Sequence, residues 1–232
     1  MSGVNPSEFG KLPYEILMKT VNAVANSMFE MLRLLPDGMV LGVAILALIS
    51  FSLPYAILLL TMLEIMLLQR SLASLIGSIS PVGGGKKSME SICMPGFMYT
   101  NNMRISLLET IGVPSMFPSP TLFFLVSLLT YMVGSMQDFD RELKTLNVDT
   151  NIRKNVAFAL SILLVVIVFS IRIMYGCETM GSLLVSLPLG FIVGLLIKYQ
   201  NLSFFGREGI NLLNLPLIVT TLEKGRPMYV CG

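Results

Sequence analysis

Histidine and tryptophan are absent from the 232-residue sequence, and only 13% of its residues are charged. Soluble domains carry about 25% charged residues, so this chain has too little polar surface to cover a core of its size in water. The absence of histidine removes the commonest general base and the commonest metal ligand. These shortages argue against a soluble protein and against an enzyme.

Cysteine is also scarce. Cys93, Cys177 and Cys231 are widely spaced and match no zinc or redox pattern. The net charge of +2 comes without a basic run interleaved with aromatic residues, so no nucleic-acid surface is indicated. We therefore predict no catalytic residue, no cofactor, no metal site and no nucleic-acid partner. The expected partners are a lipid bilayer and neighbouring proteins.

Apolar residues make up most of what is present: 54% of the chain is hydrophobic, and the mean hydropathy is +0.77. A helix needs about 20 apolar residues to cross the hydrocarbon core of a bilayer. Four runs meet or approach this length, at residues 39–63, 119–136, 156–175 and 180–199. The pattern predicts an all-α integral membrane protein in which residues 39–199 form a membrane domain of four transmembrane helices.

The first run is long enough for two interpretations. It stays apolar from Met39 to Leu68 apart from Glu64, which is about 45 Å as a helix against a hydrocarbon core of about 30 Å. It forms either one tilted helix that projects past the membrane or a re-entrant hairpin that turns near Pro54. Pro54 has no Gly, Asn or Asp beside it to make a turn, and membrane helices tolerate a proline kink. We therefore favour the single helix.

The two ends of the chain are expected to lie outside the hydrocarbon core. Residues 1–38 carry apolar side chains at helical spacing on one face and polar side chains on the other, and Pro36-Asp37-Gly38 signals a helix end. This predicts an N-terminal amphipathic helix that lies in the membrane interface or packs on a partner protein. Residues 200–232 are expected to form a short C-terminal docking tail. The sequence EKGR within it is typical of the turn of a β-hairpin.

Four spans would place both termini and the loop at 137–155 on one side of the membrane. Eleven Lys and Arg residues fall on that side and five on the other. The positive-inside rule then predicts that both termini face the cytoplasmic side of the donor membrane. Residues 172–182, RIMYGCETMGS, form the tight turn between the third and fourth spans on the opposite side.

Two packing hypotheses follow from this topology. Cys93 and Cys177 fall on one face of the membrane, and Cys231 falls on the opposite face. A disulfide between Cys93 and Cys177 would tie the long loop to the tight turn, and free thiols are the alternative. Small residues that let helices approach closely recur every four positions in the fourth span, at Ser182, Ser186, Gly190 and Gly194. The third span is the favoured partner, because the tight turn brings the two spans together, and a second copy of the chain is the alternative.

Two charged residues leave a transport function open. Glu64 is interfacial if the membrane covers residues 39–63, but it is buried and a candidate ion ligand if the membrane covers residues 45–68. Arg172 lies near the end of its span, where it can reach the surface and Glu178, or else it is an intramembrane charge in a transport path. A small channel or transporter subunit with an ion path through Glu64 and Arg172 is therefore the alternative function.

The tail KYQNLSFFGREGINLLNLPLI, followed by GRPMYVCG, resembles small multi-span proteins of nucleocytoplasmic large DNA viruses. These proteins are membrane-embedded virion components beneath an icosahedral capsid, and the resemblance covers about the last 35 residues. It implies a minor capsid component in the virion internal membrane, which anchors lipid to neighbouring capsid or membrane proteins within a large assembly. No functional residues carry over. The expected function is thus that of a structural, non-enzymatic, multi-pass membrane protein.

Overall fold

The computed structural model describes residues 11–79, 93, 97–100, 103–105, 117–145, 150–213, 217–221 and 227–230. Six helices fall within these ranges: α1 (Lys11–Ser50), α2 (Leu53–Ile79), α3 (Pro120–Gln137), α4 (Asp140–Thr145), α5 (Thr150–Met174) and α6 (Met180–Gly209). The same ranges contain four short strands: β1 (Phe97–Thr100), β2 (Met103–Ile105), β3 (Leu217–Thr221) and β4 (Pro227–Val230). β1 pairs with β2 and β3 with β4, each antiparallel, so the tail contains a β-hairpin.

Four of the described helices are long and apolar enough to cross a membrane. The stretches concerned are Leu53–Ile76 of α2, Pro120–Gln137, Asn151–Met174 of α5, and Met180–Gly209. This confirms the prediction of a helical chain with four apolar helices of membrane-spanning length. The last three overlap the predicted spans, although the third begins earlier, at Asn151, and the fourth continues past residue 199 to Gly209. The first begins fourteen residues later than predicted, at Leu53 instead of Met39.

The first predicted span is broken at Phe51, whose φ of 48° separates the end of α1 from the start of α2. Pro54 therefore lies in the first turn of a new helix, where its missing N–H leaves no hydrogen bond unmade. The Ser52 carbonyl accepts the N–H of Ala56 and so begins α2. The favoured single helix over 39–63 is wrong, because the chain turns into a helical hairpin near Pro54. Whether that hairpin is re-entrant, as the alternative had it, stays a prediction.

The sequence Pro36-Asp37-Gly38 does not end the N-terminal helix. α1 continues through it to Ser50, and its second half, Leu34–Ser50, is itself apolar. Pro36 and Asp37 are buried, and Leu35 packs against side chains of neighbouring helices. Tertiary packing thus maintains a helix that the local sequence would end, and the predicted helix end at residue 38 is wrong.

Contacts between helices establish the direction in which each one runs. The side-chain amide of Gln69, late in α2, donates to the carbonyl of Pro118, just before α3, at 3.4 Å. Ile57, early in α2, lies beside Gly209 at the end of α6. The end of α2 therefore meets the start of α3, and the start of α2 meets the end of α6.

The helix bundle has two ends, a disulfide end and an Asp138 end. The disulfide end holds Cys177 in the turn between α5 and α6, and the Asp138 end holds Asp138 just after α3. Leu35 of α1 packs against a cluster that contains Leu122 and Leu183, which lie in the first turns of α3 and α6. α1 therefore runs from the disulfide end toward the Asp138 end, antiparallel to α2.

Helices α2, α3 and α6 enclose the larger apolar core, and α1 contributes one buried side chain to it. The buried members of this core are Val40, Leu58, Met62, Ile65, Met66, Phe123, Phe124, Leu128, Tyr131, Val193 and Ile197. A smaller cluster joins α3 and α6 to α5 through Val168. α3 is thus the central helix, in contact with every other long helix.

The small residues of α6 pack on α3. A Cβ at Gly190 would lie 3.0 Å from the carbonyl oxygen of Phe123, and one at Gly194 would lie 2.4 Å from that of Ser127. The favoured partner, the third predicted span at 156–175, is therefore wrong, because the glycines face the second span. The tight turn joins α5 to α6, but the face of α6 that carries Gly190 and Gly194 is turned toward α3 and not toward α5.

Gly194→Ala is expected to destabilise the bundle, because the new methyl group would push α6 away from the α3 backbone. Overpacking of this kind costs about 1–3 kcal/mol. Gly181→Ala is the matched control, since nothing lies within 4 Å of a Cβ at Gly181 of the same helix. Unfolding of the purified protein in detergent measures both variants, and equal stability of the two would contradict the packing described.

Candidate functional site

The disulfide end is closed by a covalent bond. Cys93 and Cys177 are joined with an S–S distance of 2.08 Å and a Cα–Cα distance of 5.3 Å. Both residues are buried, and they lie 84 positions apart in the sequence. The bond ties the segment between α2 and α3 to the turn between α5 and α6, and Cys231 lies outside the described residues.

Arg172 organises the polar contacts around this bond. Its guanidinium donates through Nη1 to the carbonyl of Cys93 at 2.9 Å and through Nη2 to the hydroxyl of Thr121. The same Nη2 lies 3.3 Å from Oε1 of Glu178, and both charged side chains are buried. One arginine thus connects α5, the start of α3, the disulfide and the turn before α6.

The sequence RIMYGCETMGS builds this turn from local interactions. Gly176 has a φ of 61°, a left-handed conformation that glycine adopts at the C-terminal end of a helix. The N–H of Cys177 then returns to the carbonyl of Arg172 at 3.0 Å, and the Thr179 hydroxyl caps α6 by accepting the N–H of Ser182. The turn therefore holds Cys177 and Glu178 close to the last turn of α5.

Ion pairs also join different elements at the Asp138 end. Lys198 of α6 lies 2.9 Å from Asp138, and its side chain passes over Gly134 of α3. Arg207 lies 2.9 Å from Glu142 of α4 and donates to the carbonyl of Asp138 at 2.6 Å. These pairs connect the last turns of α6 to the end of α3 and to α4.

A third pair at this end, between Lys154 of α5 and Asp140, connects α5 to α4. The mixed charge of residues 137–155 is by itself typical of a solvated loop, but Glu142 there is 1% exposed. The signal in the sequence is that acids follow α3, at Asp138 and Glu142, and that bases lie in the second half of α6, at Lys198 and Arg207. Sequence reasoning missed the pairing because the two sets are about sixty positions apart.

A small polar group lies inside the bundle between these two ends. The Asn201 side-chain amide donates to the hydroxyl of Thr61 at 2.7 Å and to that of Tyr131 at 3.3 Å. Gln200 donates to Glu64 at 2.8 Å, and Glu64 is partly exposed near the middle of α2. These contacts join α2, α3 and α6.

The two residues of the hypothetical ion path are not brought together. Glu64 bonds to Gln200 of α6, whereas Arg172 bonds to Thr121 and Glu178 at the disulfide end. The four small residues of α6, Ser182, Ser186, Gly190 and Gly194, are all buried, and the two glycines contact α3. Within the described ranges, no group of three or more Cys, Asp or Glu side chains is arranged to hold a metal ion.

The ion pairs stabilise the packing of the bundle, since each of them connects two separate elements. Buried charges need a partner of opposite sign, and removing one member of a buried pair leaves the other uncompensated. Exposed pairs contribute little. The pair at the disulfide end is therefore expected to matter more to the stability of the protein than the exposed pair between Lys154 and Asp140.

Glu178→Gln should lower the free energy of unfolding by about 3–5 kcal/mol, because it leaves the buried Arg172 guanidinium without a counter-charge. Asp140→Asn is the matched control, since its pair with Lys154 is about a quarter exposed and such pairs contribute about 0–1 kcal/mol. Unfolding in detergent under non-reducing conditions compares the two. A smaller effect for Glu178→Gln than for the control would refute the structural role of the Arg172 contacts.

Comparison with protein-family models, with curated proteins and with solved structures finds no match to this chain. A function is therefore argued from the described contacts and from the sequence of the chain. The contacts that bear most directly on it are the ion pairs at both ends of the bundle and the apolar surface between them.

Proposed function

We propose that the chain is a structural multi-pass membrane protein that anchors a lipid layer to neighbouring proteins. The observation that carries this proposal is the combination of apolar helices of membrane-spanning length with charged residues paired across elements at each end. Exposed large apolar side chains are numerous on these helices, and Leu163, Phe191 and Leu196 are more than half exposed. A lipid environment accounts for such surfaces.

The resemblance of residues 198–232 to viral membrane proteins supplies the setting of this proposal. In that setting the protein is a minor capsid component of a virion internal membrane and part of a large assembly. Its docking segments would be the helical residues 11–33 and the tail beyond α6.

A channel or transporter subunit is the second candidate function. The polar group of Thr61, Tyr131, Asn201, Gln200 and Glu64 favours it, because acidic and amide side chains inside a membrane domain often mark an ion pathway. The contacts favour the structural proposal over it, since the three residues Thr61, Tyr131 and Asn201 satisfy one another within the bundle.

Cross-linking of intact particles or membranes with an amine-reactive reagent tests the structural proposal. Lys19 and Lys144 are exposed and should each link to a neighbouring protein, and Lys19→Arg or Lys144→Arg should remove the corresponding link. Lys198 is buried against Asp138 and should stay unlinked, which makes it an internal control. Absence of links to other proteins, together with ion flux in liposomes that Glu64→Gln abolishes, would instead favour the channel.

We further infer that the two termini emerge on opposite faces of the membrane. Leu34–Ser50 of α1 is about 25 Å long at 1.5 Å per residue and lies antiparallel to α2. The hairpin of α1 and α2 directs residues 11–33 toward the disulfide end, whereas α6 ends at the Asp138 end. This arrangement replaces the expectation that both termini share the cytoplasmic side.

The positive-inside rule does not distinguish the faces under this topology. Moving Lys11, Lys19 and Arg33 from the side with eleven basic residues to the side with five leaves eight on each. The disulfide supplies a different criterion, since such bonds persist in oxidising compartments. The disulfide end, and residues 11–33 with it, is therefore assigned to the non-cytosolic side of the donor membrane.

Labelling with a membrane-impermeant maleimide tests this assignment in sealed vesicles that contain the protein with the background substitution Cys231→Ser. Ala23→Cys and Lys144→Cys place single reporters at exposed positions near opposite ends of the bundle. Only one of the two should react before the membrane is permeabilised, and both should react afterwards. Reaction of both from the same compartment would restore the even number of crossings and overturn the inferred topology.

A further inference from the structure

An apolar groove opens between α3, α5 and α6 and runs from the middle of the bundle toward the Asp138 end. It has a volume of about 490 Å³ and is lined along α3 by residues from Val126 to Gln137. Residues of α5 between Phe158 and Val166, and residues of α6 between Leu187 and Leu195, form the other walls. The volume lies within the range of about 300–1,000 Å³ that is typical of small-molecule sites.

The groove has the form of a wedge because α5 leaves α3 toward the Asp138 end. Near the disulfide end, Val168 of α5 is buried against Leu122 and Leu125 of α3. In the described stretch of α5 from residue 151 to residue 167, by contrast, no side chain is buried. The groove is therefore closed near the middle of the bundle and open at the Asp138 end.

The length of the groove matches one leaflet of a bilayer. Val126 and Gln137 are about 16 Å apart along α3 at 1.5 Å per residue, and half of the hydrocarbon core is about 15 Å. A transmembrane helix from a partner is about 10 Å wide and crosses both leaflets. It would therefore have to continue past the middle of the bundle, where the groove is closed. A single acyl chain that enters from one surface needs only the open half.

Cationic side chains lie at the open end, where the head group of such a lipid would be. Lys154 precedes Phe158 by one helical turn, so it continues the groove-lining side of α5, and its side chain is 26% exposed. Lys198 crosses Gly134, itself part of the lining, to reach Asp138. The lining below them is apolar apart from Thr130, Gln137 and Ser161.

We propose that this groove binds one acyl chain of a phospholipid, with the lipid phosphate beside the ammonium group of Lys154. The proposal rests on the membrane location proposed above, and it adds a specific lipid site to it. A phosphate accepts charge-assisted hydrogen bonds from an ammonium group. The ammonium group of Lys154 has three donor hydrogens and its side chain is 26% exposed, so the lysine is able to donate to a phosphate while it stays beside Asp140.

Native mass spectrometry of the full chain, purified in mild detergent from phospholipid-containing membranes, tests the site. The wild-type protein should retain one phospholipid. Ser161→Phe fills the groove from α5 and should lower the retained fraction by about tenfold, which corresponds to about 1.4 kcal/mol. Leu163→Phe is the matched control, since Leu163 lies on the same helix, is 54% exposed and does not line the groove.

Lys154→Gln provides a second variant, which leaves the shape of the groove unchanged and removes the head-group contact together with the partly exposed pair to Asp140. It should weaken retention of phospholipid while leaving the unfolding temperature in detergent close to that of the wild type. Equal retention by the wild type, Ser161→Phe and Leu163→Phe would overturn the proposal, as would a wild-type protein that retains no lipid. This experiment uses the purified chain, whereas the cross-linking experiment uses intact particles or membranes. Failure of the lipid site can therefore be distinguished from failure of the anchoring role.

Discussion

The close contact between α3 and α6 determines where the other helices of the bundle lie. Two carbonyl oxygens of α3, those of Phe123 and Ser127, occupy the space that side chains at Gly190 and Gly194 would fill. Without a hydrophobic driving force between helices in lipid, such contacts depend on backbone proximity and van der Waals packing. The contact also sets the register that brings Lys198 over Gly134 and Asn201 to Tyr131. This one alignment therefore positions both the hydrogen bonds of Asn201 inside the bundle and the ion pairs at the Asp138 end.

The charged groups of the bundle constrain the chain in a second way. A charge inside the hydrocarbon core is costly unless it is paired or reaches the surface. Arg172, Lys198 and Glu178 are buried, and each has an opposite charge within 3.3 Å that comes from a different element or from the adjoining turn. Pairing therefore allows these charges to lie in the bundle and at the same time determines which helix ends meet. Arg172 combines this role with hydrogen bonds to the segment that carries the disulfide.

The sequence was sufficient for features that depend on composition and length, but not for those that depend on long-range contacts. Three spans could be located because each is a single apolar run of about the required length, as at 156–175. The break at Phe51 was not predictable from turn residues, since the hairpin uses a left-handed phenylalanine where a glycine or asparagine is usual. The partner of Gly190 and Gly194 was also missed, because a four-residue spacing identifies a packing face without naming the helix that covers it. The ion pairs of Lys198 and Arg207 depend on the same unpredicted register.

The two ends of the bundle differ in how firmly α5 is held, and this difference bears on function. At the disulfide end, α5 is attached through Val168, Arg172 and the covalent bond at Cys177. At the Asp138 end, no side chain of α5 between residues 151 and 167 is buried, and the pair between Lys154 and Asp140 is partly exposed. A bundle attached in this way holds α5 more firmly at the disulfide end than at the Asp138 end. An anchoring protein with this construction would present a fixed surface on one side of the membrane and adapt to lipid on the other.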